Sequence, residues 1–188
     1  MCAREARMAI DWTTTRAALH AWMVAGTGLP AGRVIWANQA APRPQTPFAE
    51  INPRMSIRRL GAYDEERPTA TPGTIARVTH LRLGVSCHLY GPGAVDLMER
   101  AREYLDTYAA RALFEPGGLS VLDRGEVRDI TKLLETQFEE RAQLDLVIGL
   151  ATTATEDVGY IQTVDLTTTV LAPDGTTAAT VTQTITGT

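Results

Sequence analysis

Residues 78–90 read Val78-Thr79-His80-Leu81-Arg82-Leu83-Gly84-Val85-Ser86-Cys87-His88-Leu89-Tyr90. Leu81, Leu83, Val85, Cys87 and Leu89 alternate with His80, Arg82, Gly84, Ser86 and His88. Successive side chains of a strand point to opposite faces. A period of two over this length therefore predicts a β-strand with one face buried and the other polar or partnered. A second long alternation lies downstream, with Phe138, Glu140, Ala142, Leu144, Leu146, Ile148 and Leu150 on one face. Glu139, Arg141, Gln143, Asp145, Val147 and Gly149 take the other. The string of opposite charges on that outward face suits either water or a neighbouring subunit.

Between the two strands, Gly91-Pro92-Gly93 ends the first and opens a helix expected over residues 94–114. Leu97, Met98, Ala101, Leu105, Tyr108 and Ala112 recur at spacings of three and four, while Glu99, Arg100, Arg102, Glu103 and Asp106 cover the other side. Pro116-Gly117-Gly118 terminates it. An apolar piece at 119–122 then precedes Asp123-Arg124-Gly125, which reads as a tight turn. Residues 127–130 offer that piece a pairing partner, and 131–135 can add one helical turn.

Upstream, residues 1–9 are expected to be a flexible start. Residues 11–25 read as a helix, capped by Asp11, with Leu19, Trp22 and Met23 on one face. Gly26 and Gly28 stop it, and Pro30 prevents resumption. A short β-rich run at 33–37 leads into a loop punctuated by Pro42, Pro44 and Pro47. Residues 51–60 form a second strand, in which Pro53 suggests an edge or a late start. The charged, Pro/Thr-rich segment 63–73 reads as an exposed hairpin tip or loop. At the C-terminal end, Pro173-Asp174-Gly175 between two Thr/Val-rich runs predicts a β-hairpin. The Thr-rich segment 172–188 is either an arm that adds strands to a neighbour's sheet or a self-contained hairpin on this domain.

These readings give one α+β domain over residues 1–188: a largely antiparallel sheet covered by two main helices on one face, with a C-terminal β-hairpin. The 188-residue length suits a single core that needs no disulfides. Cys87 lies within an apolar run and reads as a buried free thiol, although one disulfide with Cys2 is conceivable. No stretch approaches the ~20 apolar residues of a membrane span. The start lacks a continuous apolar signal core, so synthesis in the cytoplasm is expected. A net charge of −4 argues against a dedicated nucleic-acid binder, yet it suits a wall past which DNA slides without tight phosphate contacts. Lys132 is the only lysine. The arginine bias either serves paired contacts at subunit interfaces or reflects a GC-rich genome.

Catalytic, cofactor-binding and metal residues are all expected to be absent. His80 and His88 share a face of one strand but stand more than about 20 Å apart, and no His/Cys cluster has metal-ligand spacing. In Ser86-Cys87-His88 the thiol and the imidazole point to opposite faces, and the stretch lacks the second glycine of a nucleophile elbow. Gly26-Thr27-Gly28 with Gly32 follows a helix, whereas the dinucleotide fingerprint follows a strand. Glu139 and Glu140 face opposite ways. Glu156 and Asp157 fall in an expected turn, and they and Asp165 read as solvated.

Several features then run in order. Leu89-Tyr90-Gly91-Pro92-Gly93-Ala94 passes directly into an amphipathic helix, and Val127-Arg128-Asp129-Ile130 leads to Leu133-Leu134. The segment from Phe138 through Glu139-Glu140-Arg141-Ala142-Gln143-Leu144-Asp145 to Val147 is followed by Gly159-Tyr160-Ile161. Val34-Ile35-Trp36-Ala37-Asn38-Gln39, the three loop prolines and Ala49-Glu50-Ile51 precede them. Taken in this order, over about residues 10–170, they resemble the phage neck (tail) terminator family. The resemblance implies a structural virion protein without enzymatic activity, in a hexameric ring that ends the tail tube and joins it to the head connector. It implies as partners further copies of the chain, the tail tube protein, a head-completion or connector protein, and genomic DNA passing through the lumen without sequence-specific binding. No membrane is implied. Glu139, Arg141 and Asp145 are the candidate subunit-interface residues, through charge-assisted pairs across subunits or, equally, within one. Rival readings are another tail tube or head-completion subunit, a small hydrolase using Cys87 or a carboxylate pair, and a monomeric ligand-binding domain.

Overall fold

The computed structural model describes residues 10–40, 42–61, 64–134, 137–159 and 163–186. The expected flexible start, Tyr63, the end of the expected helical turn at 135, and Tyr160-Ile161 lie outside them.

In chain order the elements are α1 (Trp12–Thr27), β1 (Val34–Trp36), β2 (Phe48–Arg59), β3 (Glu65–Pro68), β4 (Thr74–Tyr90), α2 (Ala94–Tyr104) and α3 (Tyr108–Phe114). There follow β5 (Ser120–Arg124), β6 (Arg128–Asp129), β7 (Lys132–Leu134), β8 (Gln137–Glu139), β9 (Arg141–Asp157), β10 (Thr163–Leu171) and β11 (Thr177–Thr186). The main sheet runs β1-β2-β4-β9-β5, with β3 added to the edge of β4 and β6 to the edge of β9. Among the described residues only the β1–β2 pair is parallel.

The two alternating stretches form the middle of this sheet. β4 and β9 pair without interruption from Thr74 opposite Asp157 to Tyr90 opposite Arg141. Leu83, Val85, Cys87 and Leu89 meet Ala142, Leu144, Leu146 and Ile148 on the buried face. The helices cover that face alone. Leu19, Trp22 and Met23 of α1 and Met98 and Ala101 of α2 are fully buried there. Each large apolar side chain so buried contributes roughly 1.5–3 kcal/mol. The Trp22 indole N–H donates to the Ala101 carbonyl at 3.0 Å, so the ring is sealed without an unmet donor.

Asp11 caps α1, its carboxylate accepting from the amides of Thr13 (3.0 Å) and Thr14 (3.1 Å). The helix does not stop at Gly26. It continues to Thr27 and ends on Gly28 in the left-handed region at φ 74°. Gly26 is instead a contact residue, since a Cβ there would lie 2.7 Å from the Ala101 Cα.

Several local expectations are corrected. The single helix over 94–114 is two, because Thr107 adopts an extended conformation and its hydroxyl accepts from the Ala110 amide at 3.1 Å, capping a new helix. Three helices therefore cover the sheet, and Tyr108 is 86% exposed. β2 begins at Phe48, ahead of Pro53. The proline sits where the β2–β4 register shifts between Asn52 and Ser56, so its missing N–H breaks no ladder bond. Asp123 and Arg124 belong to a strand rather than a turn, and β6 pairs with β9 rather than with 119–122. Lys132–Leu134 is a strand paired with β8, not a helical turn. Phe138 and Glu140 do not join the buried row, for β9 starts only at Arg141 and Phe138 is 75% exposed. The 64–73 segment forms the β3–β4 hairpin, and the C-terminal hairpin forms as β10–β11.

Candidate assembly surface

With helices on one side only, the other face of the main sheet is open, and its rows follow from the register. Phe48, Tyr90 and Arg141 form the first row and Glu50, His88 and Gln143 the second. Asn52, Ser86 and Asp145 form the third. Two features stand out on this face.

One is a cleft of about 340 Å³ at the first two rows, lined by Ile35, Trp36, Arg43, Glu50, Tyr90 and Arg141, among others. Its floor is aromatic. Phe48 and Tyr90 stack with centroids 4.8 Å apart, and the Arg43 guanidinium lies 4.9 Å from the first ring and 5.0 Å from the second. Arg141 lies 5.2 Å from the Tyr90 ring as well. Glu139 joins the two cations: one carboxylate oxygen meets Arg43 at 2.5 Å, and the other meets the Arg141 Nε at 2.7 Å. Burial pushes the Tyr90 phenol above its ordinary range, and the Glu50 carboxylate beside it adds to the shift.

The other is a polar cluster at the third row. The Ser86 hydroxyl donates to Asp145 at 2.7 Å and lies 3.3 Å from the His88 Nε2. The Gln143 amide donates to both Asp145 oxygens at 3.0 and 3.1 Å. Serine, histidine and aspartate are thus neighbours in the wrong order for a nucleophile. The hydroxyl is the link, whereas a catalytic relay needs the imidazole between hydroxyl and carboxylate. Cys87 points into the core, and burial raises its thiol far above the ordinary value, with the nearby Asp145 charge adding to the effect. Among the described residues no group of His, Cys, Asp and Glu could hold a metal ion.

The three residues singled out from the sequence therefore divide. Glu139 and Arg141 pair with each other at the cleft, and Asp145 sits two rows away with Ser86 and Gln143. Sequence reading missed Arg43, Phe48, Glu50 and Tyr90. The only local hint was an arginine set between Pro42 and Pro44 in a loop that has to end somewhere specific.

A protein-family model described as phage neck terminator protein matches residues 13–174. The chain belongs to the phage neck terminator family. The family is structural and non-enzymatic, and it places the chain in the neck and tail of the virion. Membership also implies a contact with the tail tube. No curated protein matches the chain.

Proposed function

We propose that copies of this chain close into a ring, six in number, which caps the tail tube and joins it to the head connector. The observation that carries this reading is the open sheet face with its arginine–aromatic cleft, in a chain whose family ends the tail at the neck. Arginine and tyrosine are the residues that interfaces concentrate, and a stacked aromatic floor offers a rigid seat for a partner's side chain. Glu139 and Arg141 stand at the rim of the cleft, and Asp145 lies further along the same face. In the ring they fix the register between neighbouring subunits more than they add affinity. The head-completion or connector protein takes one side of the ring and the tube protein the other. Genomic DNA passes through the bore without base-specific contacts, in keeping with the chain's acidic balance.

Micrographs of particles assembled without this protein test the reading. Overlong or headless tails are the expected result. Normal tails joined to filled heads would overturn it.

A further inference from the structure

The β10–β11 hairpin has two unlike faces. Its register places Val164, Leu166 and Val170 on the same side as Val181 and Ile185. From Thr163 to Thr169 and from Thr180 to Thr186, the other side is threonine except for Asp165, which accepts from the Thr184 hydroxyl at 2.5 Å. None of the five apolar side chains is covered, and their exposures run from 41% to 60%. Thr168 and Gln183 share that side, so the five side chains make an apolar but not unbroken face on strands roughly 30 Å long, and two-stranded hairpins are marginal on their own in water. Exposed apolar patches of a few hundred Å² mark contact sites.

A matching surface lies on the open face of the main sheet. Gly84 and Gly149 leave room there for two side chains to lie flat. A Cβ on Gly84 would fall 3.2 Å from the Met55 Cε, and one on Gly149 would fall 3.0 Å from the Leu122 Cδ1. Met55 and Leu122 are themselves 49% and 46% exposed. Arg58 and Arg82 border this patch. They stand directly opposite each other on β2 and β4, a like-charge pairing that costs stability, and among the described residues neither has an ion-pair partner. The only charges on residues 163–186 are Asp165 and Asp174, the latter at the hairpin tip. Asp165 lies on the threonine side, so Asp174 at the tip is the charge that the apolar side can bring to a basic border, and both surfaces are uncovered in the same chain.

We propose that the β10–β11 hairpin of one copy lies across the Met55–Leu122 patch of the next, with its acidic tip toward Arg58 and Arg82. Each chain carries one donor face and one receiving face, so the contact is head-to-tail, the kind that closes a ring after a fixed rotation. The inference rests on the ring reading and names the element that holds neighbours together. The family match takes in β10 and ends at residue 174, before β11.

The test compares the full chain with a Leu166→Ser/Val181→Ser variant by native mass measurement, alone and with isolated tail tubes. These positions touch nothing in the core, so circular dichroism and the melting temperature of the main domain stay as in the wild type. Rings of the variant should need a protein concentration about tenfold higher or more. Disulfide trapping supplies the second arm, in a Cys2→Ser background. Chains carrying Leu122→Cys are mixed with chains carrying Val181→Cys, and a covalent dimer is expected from the mixture only. If the wild type and the variant form rings equally well, or if the mixture gives no covalent dimer beyond what each cysteine variant gives alone, the hairpin contact is wrong and the ring stands. If the wild type forms no ring even on tail tubes, the ring reading and the hairpin contact fail together.

Discussion

The Ser86 hydroxyl donates to the Asp145 carboxylate at 2.7 Å, tying the two central strands together across the open face of the sheet. Ser86 is 6% exposed, and the acceptor is charged, the stronger class of hydrogen bond. Ser86→Ala should therefore destabilise the domain by about 1–2 kcal/mol, a loss of a few degrees in melting temperature. Asp145→Ala on top of Ser86→Ala should cost less than it does alone, because the shared bond is already gone. Thermal denaturation of the two single variants and the double variant reads both effects, and full additivity would show that the bond contributes nothing.

Gly26→Ala sets two effects against each other. Alanine favours helix over glycine by up to about 1 kcal/mol, least near a helix end. The new methyl, however, would lie 2.7 Å from the Ala101 Cα, a backbone atom that cannot step aside. Overpacking of this kind costs roughly 1–3 kcal/mol. The clash should win, and the melting temperature should fall. A rise would mean that α1 and α2 separate easily and that their contact is looser than the structure shows.

Cys87 should be silent toward thiol reagents in the native protein. Its thiol is fully buried and held protonated well above its ordinary range, whereas the thiolate is the reactive form. In a Cys2→Ser background, labelling by a maleimide at neutral pH should be about a hundredfold slower than in denaturant, limited by opening of the domain. Fast native labelling would place Cys87 at the surface and reopen the question of thiol chemistry.

The cap of α1 carries a pH signature. Hydrogen bonds from the Thr14 hydroxyl and amide, with a further one from the Thr13 amide, hold the Asp11 carboxyl below its ordinary value of 3.8. A depressed folded-state value means that the cap's contribution is complete above the unfolded value and is lost as pH falls through the folded one. The stability gap between wild type and Asp11→Ala should thus be constant from neutral pH down to about 5 and should shrink below 3.8. Urea denaturation across that range measures it, and a gap that widens in acid would contradict the assignment.

Much of the fold was legible because β4 and β9 alternate without a break, and a one-residue slip would expose every core side chain at once. Capping residues were legible too, as at Asp11 and Gly28. The split at Thr107 was not. Apolar spacing runs through Leu105 to Tyr108 as if one helix continued, and only the local hydroxyl–amide bond ends it. The strands between 120 and 139 were given the wrong partners and bounds, for a different reason. β5 and β6 are short, mostly exposed strands beside β9, and β7 and β8 form a small sheet of their own, so burial stamps no long pattern on them. Of the candidate surface, Glu139, Arg141 and Asp145 stood out in the sequence as charges along an expected strand. Their partners Arg43, Tyr90 and Ser86 are distant in sequence and meet them only through the sheet register and the Pro-rich loop.

Imaging the neck of the intact particle by cryo-electron microscopy tests the ring most directly. Density for a closed ring of six copies of this α+β fold is expected at the head end of the tail tube, directly beneath the connector. Finding the chain elsewhere in the particle, or finding that junction built without it, would contradict the proposed ring.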